Sequence, residues 1–260
     1  MSNVIAFAGK GGVGKTAVSA CLIRHLVSRG GGSVLAVDAD PNHNLGMALG
    51  VRIDRTVADL REDMAAGTLS TPAGMNKERM IEYGVQAAVE EHDGFALLVM
   101  GRPEGPGCYC YVNHVLRRVL EELRDSYDWV VIDTEAGMEH LSRRTTGNVD
   151  LMVVVCQPTA ASVLAAERIA EMAGKLPVNV ERIAVVFNMV HDGVPPRLIE
   201  RIKGINLDVM GEVPYNSSFD GCDEDASSDD ICPWFERVCE RIVGEMGGGD
   251  RHGPVRADSA

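Results

Sequence analysis

The sequence predicts an α/β fold, a doubly wound and mostly parallel sheet of about seven strands flanked by helices. Continuous apolar runs alternate with helical patterns nearly to the end of the chain. Those runs carry no polar alternate face, as expected of strands covered by helices on both sides. The first run also passes through a glycine-rich turn straight into a helical pattern, the opening of a βα unit.

Taken in order, Val4–Ala8 is wholly apolar and forms the first predicted strand; Lys15–Ser28 follows as a helix. The run Ser33–Val37 predicts the second strand and Thr56–Ala66 the next helix. Phe95–Met100 reads as a strand, Tyr111–Asp125 as a helix and Trp129–Ile132 as a strand. Leu151–Val155 and Ile183–Phe187 are strands on either side of the helical pattern Ala160–Gly174. Pro196–Ile202 predicts a helix, Leu207–Val213 a weaker strand and Pro233–Glu245 the last helix. Residues 1–246 are thus expected to form a single domain, since no repeat or linker splits them. Residues 247–260 open on Gly-Gly-Gly-Asp-Arg-His-Gly-Pro, have no apolar period, and are expected to be disordered.

Composition narrows the function classes. The 260 residues are 45% hydrophobic and 24% charged, ordinary for a globular protein, with a formal net charge of −13 and a pI near 5.0. Binding to DNA by counterion release needs clustered Lys and Arg, and no such cluster occurs, so no nucleic-acid partner is expected. The longest apolar runs, such as Leu151–Cys156, are far too short to span a bilayer. The first predicted strand begins almost at once, so no signal peptide is expected. Its seven cysteines, an odd number, read as reduced thiols or metal ligands and not as a disulfide framework. The expectation is a cytoplasmic protein with no membrane partner.

The most specific segment is Gly9-Lys10-Gly11-Gly12-Val13-Gly14-Lys15-Thr16, between the first strand and first helix. Glycines at these positions let consecutive backbone N–H groups curl around a phosphate, and the helix N-terminus adds partial positive charge. Lys15 can reach the outer phosphates, and the Thr16 hydroxyl is placed for Mg²⁺. The segment predicts binding of ATP or GTP. Lys10 is an extra lysine that cannot easily fold back onto a phosphate already wrapped by the loop. With it, the segment resembles the deviant P-loop family of the nitrogenase iron protein, the arsenite-pump ATPase and the septum-site and partition ATPases. That resemblance implies that Lys10 crosses a homodimer interface to the partner's nucleotide.

Two further acidic segments belong with the loop. Asp38-Ala39-Asp40-Pro41-Asn42 ends the second strand, and carboxylates at i and i+2 on an extended chain share one side. Asp-Pro-Asn also starts turns readily. By resemblance to the family this is switch I, with Asp40 orienting the attacking water. The strand Trp129–Ile132 leads into Asp133-Thr134-Glu135-Ala136-Gly137. An acid at the end of an apolar strand is how a carboxylate reaches nucleotide-bound Mg²⁺. The form Asp-x-x-x-Gly resembles the family's switch II, in which Gly137 would let the backbone turn toward the γ-phosphate. Asn188 matches the family's base-reading asparagine, and Val213-Pro214-Tyr215-Asn216 resembles the loop closing over adenine. A guanine-reading Asn-Lys-x-Asp is absent, so ATP and ADP are the expected ligands.

The segment Gly105-Pro106-Gly107-Cys108-Tyr109-Cys110-Tyr111 points to a second chemistry. Inside a helix, side chains at i and i+2 diverge, but in an extended turn both thiols can meet one metal. A position ahead of a helix N-terminus lowers thiol pKa and favours metal binding. Two ligands are too few for a zinc-like or nickel site, and a two-fold axis would supply the other pair. Two unpaired, buried apolar cysteines remain the alternative reading.

Val99-Met100-Gly101-Arg102-Pro103-Glu104-Gly105-Pro106-Gly107-Cys108-Tyr109-Cys110, together with the two acidic segments, resembles the CooC family of nickel-inserting accessory ATPases of carbon monoxide dehydrogenase. A closely similar protein serves acetyl-CoA synthase. The resemblance spans roughly residues 1 to 245. It implies Ni²⁺, or Zn²⁺ at the same thiolates, held by Cys108 and Cys110 of both subunits of a nucleotide-controlled homodimer. Catalytic roles fall to Lys10, Lys15 and Asp40, and the Mg²⁺ ligands are Thr16 and Asp133. One alternative is an electron-transfer ATPase like the nitrogenase iron protein, whose cluster takes one cysteine after switch II; the segment Glu139-His140-Leu141 has none. The other is a nucleotide-switched positioning protein. Acidity and the glutamates Glu236, Glu240 and Glu245 on the last helix argue against that one. Cys21 and Cys156 read as core, Cys222, Cys232 and Cys239 form no recognisable metal spacing, and His140 and His191 read as surface or satisfied histidines.

Overall fold

Among the described residues, eight strands lie in one sheet, in the order β3-β4-β2-β5-β1-β6-β7-β8. The structure, a computed structural model, describes residues 2–66, 84, 86–102, 126–135, 149–174, 179–216 and 235–247. The strands are β1 (Asn3–Ala8), β2 (Val34–Ala39), β3 (Val89–His92), β4 (Phe95–Val99), β5 (Trp129–Thr134), β6 (Val149–Cys156), β7 (Val180–Val190) and β8 (Asp208–Pro214). The described helices are α1 (Lys15–Ser28), α2 (Asn44–Ala48), α3 (Val57–Ala65), α4 (Ala160–Ala173), α5 (Pro196–Gly204) and α6 (Glu236–Gly247). All neighbouring pairs are parallel except β3 with β4.

The apolar runs form strands because both faces of the sheet are covered. On one face, Ile5, Phe7, Val131 and Val153 pack under α1 (Val18, Leu22, Leu26), α2 (Leu45) and α6 (Val238, Ile242). On the other, Val4, Ala6, Ile132 and Val154 pack under α3 (Leu60), α4 (Val163, Ala166) and α5 (Leu198, Ile202). Successive residues of a strand alternate between these two cores, which is why no polar face appears in the sequence. Each fully buried large side chain, such as Phe7, Phe187 or Leu22, contributes about 1.5–3 kcal/mol of apolar burial. The helix α4 starts at Thr159, whose hydroxyl accepts the Ser162 N–H at 3.2 Å, an N-cap that satisfies one orphan donor.

The sheet has one strand more than expected, because β3 pairs with β4 as an antiparallel edge. Its Val-Glu-Glu-His composition presents no apolar run. The strand β5 continues through Asp133 and Thr134, since the ladder to β2 pairs Asp38 with Asp133 and Ala39 with Thr134. The Thr134 hydroxyl donates to the Phe7 carbonyl at 2.6 Å. The strand β7 runs to Val190, past the expected end at Phe187, with a register irregularity against β8 between Phe187 and Val190 and Met189 at φ 58. The expected helix Tyr111–Asp125 and the tail beyond residue 247 lie outside the described residues. No described helix is long and apolar enough to cross a membrane.

Candidate functional site

The strand β1 lies between β5 and β6, where the order of connection reverses, and ligands of open α/β sheets bind at that point beyond the strands' carboxyl ends. The loop Gly9–Thr16 leaves β1 there. Gly9 has φ 147, and a Cβ on it would stand 2.5 Å from the Val155 carbonyl oxygen of β6, so the loop can hug the sheet only with glycine. Gly14, at φ 86, begins α1, and a Cβ there would meet the Asn188 side-chain amide. The Asn188 amide, itself buried, donates to the Val13 carbonyl at 2.9 Å. No acidic residue occupies the first turn of α1, so the positive end of that helix is left for an anion. Lys15 is only 7% exposed, and its ammonium reaches the Lys10 carbonyl at 3.5 Å. Lys10 itself is exposed.

Two buried carboxylates stand beside this loop. The Thr16 hydroxyl donates to Asp133 Oδ2 at 2.6 Å, while the buried Asp133 Oδ1 has no hydrogen-bond partner. Burial pushes the Asp133 carboxyl up to about 7, helped by the charges of Asp38 and Asp40 and opposed by the Thr16 hydrogen bond and Lys15. Asp38, its register partner on β2, is raised to about 6, again by burial, against hydrogen bonds from the Leu45 and Asp40 N–H groups. An orphaned carboxylate oxygen next to a hydroxyl, above a phosphate loop, is a hard oxygen set suited to Mg²⁺. Thr16 Oγ1 and Asp133 are the residues that can hold it; bound there, the ion would neutralise charge on the phosphates.

Asp40 sits half-buried at the end of β2. Its Oδ1 accepts from the Asn42 backbone N–H at 2.9 Å and from the Asn42 side-chain amide at 3.0 Å. Its carbonyl accepts the His43 N–H at 3.1 Å. The turn expected from Asp-Pro-Asn is therefore present, and the charge of Asp40 is felt by the Asp133 carboxyl.

On the far side of the loop, β7 and β8 contribute Asn188 and Pro214, and the Tyr215 N–H bonds the Val190 carbonyl at 2.9 Å. His191 stacks on Tyr215 with ring centroids 4.4 Å apart and planes at 27°. That stack was not legible in the sequence, where His191 read as a surface or satisfied histidine, because it depends on how the ends of β7 and β8 meet. Sequence reasoning also missed the contact of Asn188 with the loop. The adjacency of a strand end and a glycine turn is a tertiary fact, and Asn188 offered no local signal for it.

Gly137, Cys108, Cys110 and His140 lie outside the described residues. Among the described residues, no group of three or more His, Cys, Asp or Glu side chains is arranged to hold a metal ion. Cys21, Cys156 and Cys239 are buried and form no disulfide with one another. Burial pushes the Cys156 thiol up to about 12, which makes it an unreactive core residue.

The chain is similar to known proteins over most of its length. A family profile for the CobQ/CobB/MinD/ParA nucleotide-binding domain matches residues 4–227. The ATP-binding protein MJ0685 of Methanocaldococcus jannaschii is 44% identical over 215 residues, 82% of this chain and 85% of the relative. The carbon monoxide dehydrogenase accessory protein CooC of Rhodospirillum rubrum is 32% identical over 231 residues, 85% of this chain and 86% of the relative. Among solved structures, the septum site-determining protein MinD of Pyrococcus horikoshii, complexed with Mg-ADP, superposes with a TM-score of 0.70 at 20% identity, covering 95% of this chain and 98% of that one.

Proposed function

The chain belongs to the CobQ/CobB/MinD/ParA nucleotide-binding family, and on that premise we propose that it is an ATP-hydrolysing metallochaperone. Residues 1–246 act as one ATPase domain that works as a cytoplasmic homodimer, without nucleic acid or membrane. Its cargo is Ni²⁺, or Zn²⁺ at the same thiolates, held by Cys108 and Cys110 of both subunits. Its client is a nickel-dependent carbon monoxide dehydrogenase or acetyl-CoA synthase. The observation that carries this reading is the likeness to a carbon monoxide dehydrogenase accessory protein over 85% of the chain, in a sequence that contains Cys108-Tyr109-Cys110.

In this reading the backbone from Gly9 to Gly14 wraps the phosphates and Lys15 pairs with their outer oxygens. Thr16 and Asp133 hold Mg²⁺, and Lys10 reaches the nucleotide of the partner subunit. Asp40 orients the attacking water. Asn188 and Pro214 face the adenine. Asp38 and Asp40 belong to switch I and Asp133 and Gly137 to switch II, whose movement on hydrolysis reshapes the thiolate site. The raised carboxyl of Asp133 supports this assignment, because a buried carboxylate without a cation is costly and a divalent ion relieves it.

Anaerobic size-exclusion chromatography with inline metal analysis tests the proposal. Nickel should produce a dimer with about one metal per two chains, as a four-thiolate site requires, and Cys110→Ala should abolish it while nucleotide still binds. A dimer indifferent to metal would leave a nucleotide-switched positioning protein. Iron and sulfide in place of nickel would leave an electron-transfer ATPase.

A further inference from the structure

We propose that Asp38 is a positioning residue whose carboxylate staples both ends of the segment Asp40–Leu45 and so fixes where Asp40 stands. The inference rests on the reading of Asp40 as the residue that orients water. Asp38 is fully buried on β2. One of its oxygens accepts the Asp40 N–H at 3.1 Å, and the other accepts the Leu45 N–H at 2.9 Å.

Between these two anchors the chain turns tightly. The Asn42 N–H bonds Asp40 Oδ1, the His43 N–H bonds the Asp40 carbonyl, and His43 adopts the left-handed conformation at φ 52. A non-glycine residue there is strained and persists only where its surroundings fix it. Four N–H groups, of Asp40, Asn42, His43 and Leu45, therefore converge on two aspartates. The helix α2 that follows has five residues, too few to be stable alone. Its far end is gripped from α1 by Arg24, whose guanidinium donates to the Ala48 carbonyl at 2.6 Å. The whole segment is thus held by side chains of β2 and α1 and not by its own periodicity.

The chemistry of the staple is selective. An ionised carboxylate accepts on both oxygens and donates on neither. An asparagine amide offers one acceptor and one NH₂, so in either orientation the NH₂ faces a backbone N–H. One end of the segment must then come loose. A displacement of about 1 Å in a group that orients a reactant costs on the order of 10²-fold in rate.

The test is Asp38→Asn in the full chain, with two readouts. Amide hydrogen exchange, measured without nucleotide, should accelerate by about tenfold or more at Asp40 or Leu45, as expected when a local opening replaces a protected hydrogen bond. Amides of β1 and β6 should keep their rates. In steady-state hydrolysis, kcat should fall by about 10- to 100-fold, with KM for MgATP and the half-saturating Mg²⁺ concentration changed by less than about threefold. Unchanged exchange at both amides, or faster exchange throughout the sheet, overturns the staple. A loss of activity matched by an equal shift in Mg²⁺ half-saturation overturns it too, because Asp38 would then be acting on the metal. If Asp38→Asn does not fold, the wild-type chain still decides, since unprotected Asp40 and Leu45 amides there are incompatible with the proposal. Asp40→Asn separates this inference from the reading beneath it. Full hydrolysis in that variant would remove the role of Asp40 and leave the exchange result to judge the staple alone.

Discussion

Replacing Asn188 with alanine removes the side-chain amide that donates to the Val13 carbonyl at 2.9 Å, at a site where the asparagine is only 5% exposed. Taking away a buried partner costs about 1–3 kcal/mol, because the group left behind is neither solvated nor bonded. For a chain of this size each kcal/mol shifts Tm by about 2–4 °C, so Asn188→Ala should melt roughly 2–12 °C lower. Asn188→Asp keeps the shape but sets a carboxylate oxygen against a carbonyl oxygen, and it should melt lower than the alanine variant. Both should show a smaller rise in Tm on adding MgADP than the wild type, since the loop proposed to wrap the phosphates is no longer braced against β7. Differential scanning calorimetry with and without MgADP measures all of this. If Asn188→Asp melts at or above the wild-type temperature, the amide is not bracing the loop and the reasoning fails.

Two other outcomes follow from the same structure. The carboxyls of Asp38 and Asp133 are raised to about 6 and about 7 from 3.8, so the stability they allow is complete below about pH 4 and is lost as pH rises through 6 and 7. The chain without metal or nucleotide should therefore melt higher at pH 5 than at pH 8, and MgADP should narrow the difference; a flat profile without ligand would contradict the burial of both groups as the dominant cause. Thr159→Ala removes the N-cap of α4, which should cost about 1 kcal/mol and lower Tm by a few degrees without changing nucleotide affinity, as calorimetry and a fluorescent-nucleotide titration would report.

Much of the architecture could be read from the chain because burial on both faces writes itself as uninterrupted apolar runs. Val4–Ala8, Phe95–Met100 and Leu151–Val155 each match an observed strand to within one or two residues at either end. The phosphate loop was legible for a different reason, since Gly9 and Gly14 occupy backbone conformations and close contacts that only glycine tolerates. What escaped were features made by distant partners. The strand β3 exists through its pairing with β4, and its glutamates carry no strand signal. The helix α2 is too short to show a period, and its ends are secured by Asp38 and Arg24. The reach of β5 to Asp133 depends on the ladder with β2 and on the Thr134 hydroxyl, neither of which an apolar run reveals. In the sequence Asp38 stood beside Asp40 as a second acid of the same kind. The structure separates them: one is buried and accepts from two amides, and the other is half-buried at the start of a turn.

The two edges of the sheet bear on how copies of the chain can meet. At one edge β3 is four residues long and carries two glutamates and a histidine; at the other, β8 pairs irregularly and ends in Pro214, which has no N–H to offer. Short, charged or broken edges make poor templates for a strand from another molecule. Lateral growth of the sheet into fibres or edge-joined dimers is thereby discouraged. Contacts between copies on the helical faces, or at the rim above the strand ends where the phosphate loop opens, meet no such obstacle.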